Sequence, residues 1–379
     1  MTQTVQGGQV TTDAAVLHVA FELSNKEWKL GFSDGKRTRY RSMPARNLGI
    51  FERELKEAKK RFRLGEDVRV VSCYEAGRDG FWIDRYLKSS GIESLVIEPA
   101  SVQVDRRARR PKTDKLDARK LLNHVVRSTG GERDVWRVVR VPSDQAEDRR
   151  QGPRERQRLV KEATIHRNRI QSVLVAQGIV LKPCHKGFMK DLEEARRWDG
   201  TPVPCDCKRA VMREYRRLEL VQEQIAEIET TEKQRVKEAK TETDEKIGRL
   251  KKVRGIGLTS AMILVTEFFG WRKFNNRREV GALAGMTGTP FNSGDSNREQ
   301  GISKAGNRRI RVVMVELAWR WLRWQPDSKQ AQWFKAYTGD AKKRRIRRIA
   351  IVALARRLLI DLWHYLDHGV IPEGAYVAE

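Results

Sequence analysis

Two aspartates within residues 112–121 are the first residues whose type and spacing could do chemistry. Asp114 and Asp117 stand three positions apart, so in a helix both carboxylates lie on one face, one turn apart. Carboxylates that close repel each other unless a cation or water separates them. The same spacing also occurs at an ordinary charged helix start, where Asp114 would act as a cap. The pair therefore becomes informative only in combination with other acids.

Two further acids lie where predicted strands end. Glu22 lies near the end of the first strand, and Glu75 directly follows the fourth. If these strands are neighbours in a sheet, both side chains could meet Asp114 and Asp117. Four convergent carboxylates require cations, and oxygen ligands favour Mg²⁺. We therefore predict that these four acids bind Mg²⁺, because two such ions can clamp the oxygens of a phosphoryl transfer.

The elements that must position these acids follow a definite order. Alternating apolar residues predict three strands, then an amphipathic helix, a strand, a helix, a strand and the helix of Asp114 and Asp117. The bounds are strands Ala15–Leu23, Trp28–Phe32 and Lys36–Met43, a helix from Leu48 to Phe62, strand Val68–Tyr74, helix Phe81–Leu87 and strand Leu95–Ile97. This order predicts an α/β RNase H-like domain over residues 14–130, a mixed sheet with flanking helices.

The charge of the chain indicates its class of partner. The 379 residues have a formal net charge of +27 and a pI near 10.2, which is typical of a protein that binds nucleic acid. No apolar run approaches the length of a membrane-spanning helix, and Met1–Asp13 lacks the apolar region of a secretion signal. Four cysteines do not make a disulfide framework in a chain of this size, so we expect a protein of a reducing cytoplasm.

The middle of the chain, residues 131–250, is predicted to be helical. Val141–Pro153 is polar and ends in prolines, which indicates a linker or loop, and Pro183–Pro204 is a second loop-rich segment. Arg154–Val180 has an apolar stripe and predicts one long helix. Its basic face consists of Arg154, Arg156, Arg158, Lys161, Arg167 and Arg169, which could contact nucleic acid or simply be a charged bundle surface. Apolar spacing from Val211 to Ile228 predicts either a helical hairpin or a coiled coil between subunits.

The middle region also contains a weak candidate metal site. Cys184, His185, Cys205 and Cys207 could in principle supply four zinc ligands. Their spacing differs from the usual pairs of zinc-binding cysteines, so we expect reduced thiols without metal.

Residues 251–379 are predicted to form a mostly α-helical domain. Gly255 and Gly257, flanked by Lys251, Lys252 and Arg254, resemble a helix-hairpin-helix, in which the backbone approaches a DNA phosphate closely. A tight interhelical turn would show the same pattern. A basic run, 342–348, leads into an amphipathic helix.

A long segment rich in Gly, Ser and Asn, residues 285–306, is predicted to be a loop that opens into a basic helix, Asn307–Arg323. Such loops often carry function, although a Ser-Gly pair is usually turn chemistry. The basic side chains that could grip phosphates are Lys304, Arg308, Arg309 and Arg311. Of Trp319, Trp321 and Trp324, at least two are expected to pack in the core.

Several of these motifs together resemble a known family. Phe-Glu-Leu-Ser-Asn-Lys (21–26), Tyr-Glu-Ala-Gly (74–77) and Lys-Thr-Asp-Lys-Leu-Asp-Ala-Arg (112–119) resemble the RuvC-like DEDD domain of the bridge-RNA-guided insertion-sequence transposases. Asn-Ser-Gly (292–294) with Gly-Ile-Ser-Lys-Ala-Gly-Asn-Arg-Arg (301–309) resembles their catalytic-serine loop. The first acid is usually Asp in that family and is Glu22 here, one methylene longer.

The resemblance carries specific expectations. It implies that Ser293 is the nucleophile, attacking a phosphodiester to form a phosphoserine link to DNA. It also implies a structured non-coding guide RNA that pairs with donor and target DNA. Finally, it implies a homodimer or homotetramer in which the acids of one subunit complete the site around the serine of another.

Two other functions remain open on sequence alone. The first is a metal-dependent RuvC-like nuclease, such as a junction resolvase, that cuts without a covalent intermediate. The second is a catalytically impaired DNA-binding protein, if Glu22 has broken the metal site.

Overall fold

The structure is a computed structural model that describes residues 15–102, 114–183, 187–293, 296–339 and 344–378. Within these ranges, the side chains of residues 100, 114, 115, 293 and 296–299 lie outside the description. The chain divides into two compact units, residues 1–141 and 142–379. No helix among the described residues is both long enough and apolar enough to cross a membrane.

The first unit is built on a five-stranded mixed sheet with the strand order β3-β2-β1-β4-β5. The strands are β1 Val16–Glu22, β2 Glu27–Ser33, β3 Thr38–Pro44, β4 Arg69–Glu75 and β5 Glu93–Ile97. The first three strands form an antiparallel meander, whereas β1, β4 and β5 run parallel. The predicted neighbourhood of the first and fourth strands is therefore confirmed.

Helices cover both faces of this sheet. The helices are α1 Leu48–Phe62, α2 Trp82–Ser89 and α3 Asp114–Thr129, with a short 3₁₀ turn at Pro99–Ser101. One face buries large side chains such as Phe21 and Trp28 against α1 and α2. The opposite face buries Ala20, Val71 and Cys73 against α3. The predicted order of elements, with the Asp114–Asp117 helix last, is confirmed.

The second unit is mostly helical. Its helices are α4 Asp144–Asp148, α5 Gln151–Val175, α6 Phe188–Glu194, α7 Cys205–Glu238, α8 Glu242–Lys252, α9 Leu258–Leu264 (continued by a π-helical turn, Val265–Phe269), α10 Arg277–Leu283, α11 Arg308–Trp324, α12 Lys329–Thr338 and α13 Arg344–His368. Two strands, β6 Gly288–Ser293 and β7 Ser296–Ile302, form an antiparallel pair.

Helices α5 and α7 form an antiparallel hairpin within one chain. Two ion pairs and one hydrogen-bonded pair show the direction, because residue numbers rise on α5 while they fall on α7. The pairs are Arg149–Glu232 just before α5, then Arg156–Glu229 and His166–Glu214. The hairpin has its own core of aliphatic side chains, including Ile170 and Leu218. This observation supports the hairpin alternative for the middle region.

Two segments predicted to be loops contain helices. The linker predicted at Val141–Pro153 holds α4 and the start of α5, because proline is tolerated in the first helical turn, where its missing N–H is not needed. The interruption predicted at Pro183–Pro204 contains α6, which buries Phe188 and Leu192.

The core of the second unit surrounds α13. This helix buries ten side chains, including Leu354 and Trp363, so it is enclosed by its neighbours. The prediction of one long glycine-rich loop before α11 was wrong, because residues 288–293 and 296–302 form the paired strands β6 and β7. The tryptophan prediction was also wrong, since Trp321 is buried but Trp319 and Trp324 are each 42% exposed.

Candidate functional site

Glu22 and Glu75 end neighbouring parallel strands in the same register. Phe21 of β1 pairs with Tyr74 of β4, so each glutamate is the next residue on its strand. Side chains alternate along a strand, and Ala20 and Cys73 face α3; the two glutamates therefore point to the α3 side as well. Both line one cavity of about 350 Å³. The structure thus brings together the two acids that the sequence placed at strand ends.

Helix α3 runs antiparallel to these strands. Thr129, at its end, hydrogen-bonds through Oγ1 with Nε2 of His18 near the start of β1, at 2.6 Å. Leu121, two turns earlier, accepts a contact at 3.7 Å from Sγ of Cys73 near the end of β4. Four residues of helix and two of strand both span about 6 Å. The first turn of α3, with Asp117, therefore lies at the level of Glu75.

The acids do not form a complete metal cluster among the described residues. Asp117 is 23% exposed and pairs with Lys120 at 3.4 Å, and it does not line the cavity. The side chain of Asp114 lies outside the described residues. Within the described part of the chain, no three His, Cys, Asp or Glu side chains lie close enough to hold one ion. The carboxylate oxygens of Glu22 and Glu75 are nevertheless the donors that Mg²⁺ prefers, so these residues fit that ion.

Ser293 is the last residue of β6, at the tip of the β6–β7 hairpin. It pairs with Ser296 across the turn, and Asn292 pairs with Asn297. The hairpin is fixed at its base, where Ser303 donates its N–H to the carbonyl of Thr287 at 2.8 Å. A two-stranded ribbon is marginal alone, so this base is needed to hold the tip in place.

The segment after the hairpin is held against the turn that follows α10. Lys304 and Asn307 donate backbone N–H groups to the carbonyls of Gly285 and Leu283, at 3.1 and 2.9 Å. Gly306 has φ +144°, and a Cβ there would lie 2.4 Å from the Leu283 carbonyl oxygen, so no larger residue can take its place. Asn307 also caps α11 by accepting from the N–H of Arg309. The side chain of Asn307 is therefore the N-terminal cap of α11.

The four basic residues predicted to grip phosphates fall into two groups. Lys304 and Arg308 are exposed. Arg309 donates to Oε1 of Gln157 at 3.1 Å, and Arg311 donates to two backbone carbonyls at 3.0 and 3.1 Å. Arg309 and Arg311 thus form hydrogen bonds within the protein, which stabilise its fold.

The two predicted glycines lie in a short turn between α8 and α9. Gly255 has φ +95°, and a Cβ there would come within 3.2 Å of Trp324. Gly257 precedes α9 with φ −84°, and no atom of the described residues lies within 4 Å of the place that a Cβ would take there. Arg254 lies 5.6 Å from the ring centre of Trp324 and 5.7 Å from that of Tyr376. The turn therefore packs against Trp324 at Gly255, whereas a side chain would have free space at Gly257.

A buried carboxylate that the sequence analysis missed lies under the start of α11. Glu267 is in the π-helical turn, and its side chain is 3% exposed. It accepts two hydrogen bonds from Arg154, at 2.6 and 2.9 Å, and lies 3.5 Å from the side-chain nitrogen of Asn307. Arg309 is 3.9 Å away. The one sequence signal was a single acid within the apolar run 261–269.

Burial alone would raise the pKa of Glu267. The hydrogen bonds and charge of Arg154, with Arg309 and Arg150 nearby, hold this pKa below its ordinary value. Glu267 is therefore ionised at neutral pH, and it ties α5 to the residues that follow the hairpin.

The sequence matches two families of known proteins. Residues 27–177 match the IS110-type DEDD transposases, and residues 248–333 match the family described as Transposase IS116/IS110/IS902. The two matches fall on the sheet unit with the start of the helical hairpin, and on the segment that contains β6, β7 and α11.

Individual relatives give the same result. The chain is 38% identical over 380 residues to the putative transposase y4rJ of Sinorhizobium fredii, covering 97% of this chain and 96% of that protein. It is 25% identical to the transposase for insertion sequence element IS1533 of Leptospira borgpetersenii, covering 71% and 75% of the two chains. It is 24% identical to the transposase for insertion sequence element IS1111A of Coxiella burnetii, covering 79% and 78%.

Proposed function

Because the chain belongs to the IS116/IS110/IS902 family of insertion-sequence transposases, we propose that it is a site-specific recombinase. It would cut DNA at the ends of an insertion sequence and rejoin the strands at a new site. The observation that carries this proposal is the placement of Glu22 and Glu75 at the ends of adjacent strands. Both residues line one cavity, at the level of the first turn of α3. This is where a sheet of this topology can collect carboxylates from separate parts of the chain.

In this proposal Glu22, Glu75, Asp114 and Asp117 hold Mg²⁺. The bound metal supplies charge neutralisation at a phosphodiester. Glu22 and Glu75 fix the position of the donor oxygens, because each is held by a strand of the central sheet. Asp114 and Asp117 add their carboxylates from the first turn of α3. The extra methylene of Glu22, relative to aspartate, moves its oxygens further from the strand.

Ser293 is the proposed nucleophile. Its hydroxyl would attack the phosphorus and displace one strand end, so that a phosphoserine link joins the protein to DNA. Such a link lets the strand be rejoined without an outside energy source. The position of Ser293 at the tip of an anchored hairpin supports this role, because the tip can enter a DNA groove while its base stays fixed.

We further propose that a structured non-coding guide RNA directs the enzyme to donor and target DNA. We also propose that the enzyme is a homodimer or homotetramer in which the acids of one subunit act with the serine of another, in the bacterial cytoplasm at the nucleoid. The +27 charge supports a polyanionic partner. Lys304, Arg308 and the α8–α9 turn at Gly255 and Gly257 would contact nucleic acid backbones.

Trapping a covalent intermediate tests the nucleophile. The full-length protein, co-expressed with the non-coding DNA that flanks its gene, is incubated with Mg²⁺ and labelled DNA that carries an element end. We expect a protein–DNA adduct on denaturing gels, which Ser293→Ala abolishes. Ser296→Ala is the matched control, since Ser296 pairs with Ser293 across the same hairpin and should keep the adduct. An adduct that persists in Ser293→Ala would contradict the proposal.

A second candidate function is a metal-dependent nuclease. It is favoured by the cavity that Glu22 and Glu75 line, because a metal held there could activate water for cutting without Ser293. Cut DNA without any adduct, lost in Glu75→Gln, would establish the nuclease. DNA binding with no cutting, restored by Glu22→Asp, would instead indicate a protein impaired by its longer first acid.

A further inference from the structure

The cavity lined by Glu22 and Glu75 has a basic rim. Arg78 and Asp79, in the turn between β4 and α2, belong to its lining. The side chain of Asp79 is 5% exposed, and its oxygens lie 2.5 Å from Arg46 and 3.5 Å from Arg78. One buried carboxylate thus holds two guanidinium groups. The three side chains together carry one net positive charge, and Arg78 belongs to the same cavity lining as Glu22 and Glu75.

Local contacts and backbone conformation define the two turns that carry these arginines. The turn that carries Arg78 is closed by a hydrogen bond from the hydroxyl of Tyr74 to the carbonyl of Gly80, at 3.2 Å. Arg46 follows β3 and has φ +66°, in the left-handed region that residues with a side chain rarely adopt. Strain of this kind commonly marks a functional position. Asp79, which belongs to the cavity lining, holds the guanidinium of Arg46 beside it.

We propose that Arg78 and Arg46, held together by Asp79, bind the phosphodiester of the DNA strand that enters this cavity. A guanidinium can donate two parallel hydrogen bonds to a phosphate, which lysine cannot reproduce. The side chains of Arg46 and Arg78 are 47% and 55% exposed, so both can reach a ligand. This inference rests on the proposed function and assigns its phosphate-binding residues.

The test separates phosphate binding from metal binding and from folding. Full-length protein with its co-expressed RNA is assayed for cutting of an element-end duplex, and separately for Mn²⁺ binding without DNA. Arg78→Ala should raise the KM for DNA about 10- to 100-fold, and Arg78→Lys should recover little of that loss. Mn²⁺ affinity should stay equal or increase in Arg78→Ala, because a positive charge beside the site is removed. A residue with a merely structural role would lose both activities together.

Matched variants complete the test. Arg53→Ala removes an exposed arginine on α1 and should leave KM and Mn²⁺ affinity unchanged. Asp79→Asn should raise KM several-fold while Mn²⁺ binding persists. Glu75→Gln should lose Mn²⁺ binding.

The possible failures are distinguishable. If Arg78→Ala cuts DNA with the wild-type KM while Glu75→Gln is inactive, the rim assignment is wrong and the proposed function stands. Parallel loss of Mn²⁺ binding and of DNA cutting in Arg78→Ala would also overturn the rim assignment. Wild-type protein that neither binds Mn²⁺ nor cuts element ends would overturn both proposals.

Discussion

Replacing Glu267 with glutamine should destabilise the second unit strongly. The wild-type carboxylate is 3% exposed and accepts two charge-assisted hydrogen bonds from Arg154. Glutamine keeps one acceptor oxygen but sets an amide NH₂ group against the other guanidinium N–H. A hydrogen bond to a charged group contributes about 1.5–3 kcal/mol, and breaking a buried ion pair costs about 3–5 kcal/mol. We therefore expect a loss of about 3 kcal/mol in the free energy of unfolding.

Differential scanning calorimetry measures this loss at neutral pH. For a domain of this size, 1 kcal/mol shifts Tm by roughly 2–4 °C, so the Tm of the second unit should fall by roughly 6–12 °C. Glu316→Gln is the matched control, because Glu316 lies exposed on α11 and should change stability by less than about 0.5 kcal/mol. Equal melting of the two variants would refute the reasoning.

The pH dependence gives an independent check with a definite sign. The folded-state pKa of Glu267 is lowered, so its contribution to stability is complete above the ordinary glutamate pKa of about 4.3. The contribution is lost as the pH falls through the lower folded-state pKa. The difference in stability between wild type and Glu267→Gln should therefore shrink only in acid. A difference that disappears near neutral pH would mean that another group is responsible.

Two further predictions concern the α8–α9 turn and the buried thiol. Gly257→Ala should leave Tm unchanged, because no described residue lies within 4 Å of its Cβ position, but it should weaken DNA binding several-fold in a filter-binding assay. Gly255→Ala should lower Tm, because its Cβ would meet Trp324 and its φ is +95°. Unchanged DNA affinity in Gly257→Ala would argue for a plain interhelical turn. Burial, with a smaller effect of Glu75, raises the pKa of the Cys73 thiol. A thiol reagent should therefore label exposed Cys205 quickly and Cys73 only after unfolding. Rapid labelling of Cys73 in the native protein would show that α3 does not cover it.

The first unit could be predicted from sequence because its signals are local. Apolar residues alternate in β1 and β2, and they recur every three to four positions in α1. Glu22 and Glu75 could be placed together because the end of a strand is visible in sequence and the sheet order follows from the order of elements. Arg46 and Asp79 could not be placed there, since their pairing joins β3 to the β4–α2 turn.

The β6–β7 hairpin could not be predicted because its stability is not local. Its strands contain Gly288, Pro290 and Gly301, residues with low strand propensity, and a bulge interrupts the pairing between Gly288 and Pro290. What holds it are backbone hydrogen bonds at its base, such as Ser303 to Thr287, between residues far apart in sequence. The composition of this segment therefore indicated a loop, whereas backbone hydrogen bonds between its two ends stabilise two short strands.

The arginines of α5 show why the net charge of a chain predicts the class of ligand better than it predicts which surface binds that ligand. The sequence left its basic face open between a nucleic-acid contact and a charged bundle surface, and three of its arginines pair with acids of the same chain. The pairs are Arg154–Glu267, Arg156–Glu229 and Arg169–Glu214. Cations already paired with a carboxylate contribute little net field to a phosphate beside them. The net charge of +27 is therefore available to a polyanion through exposed cations such as Lys304 and Arg308, which follow the β6–β7 hairpin. It is also available where two arginines pair with one carboxylate, as Arg46 and Arg78 do with Asp79.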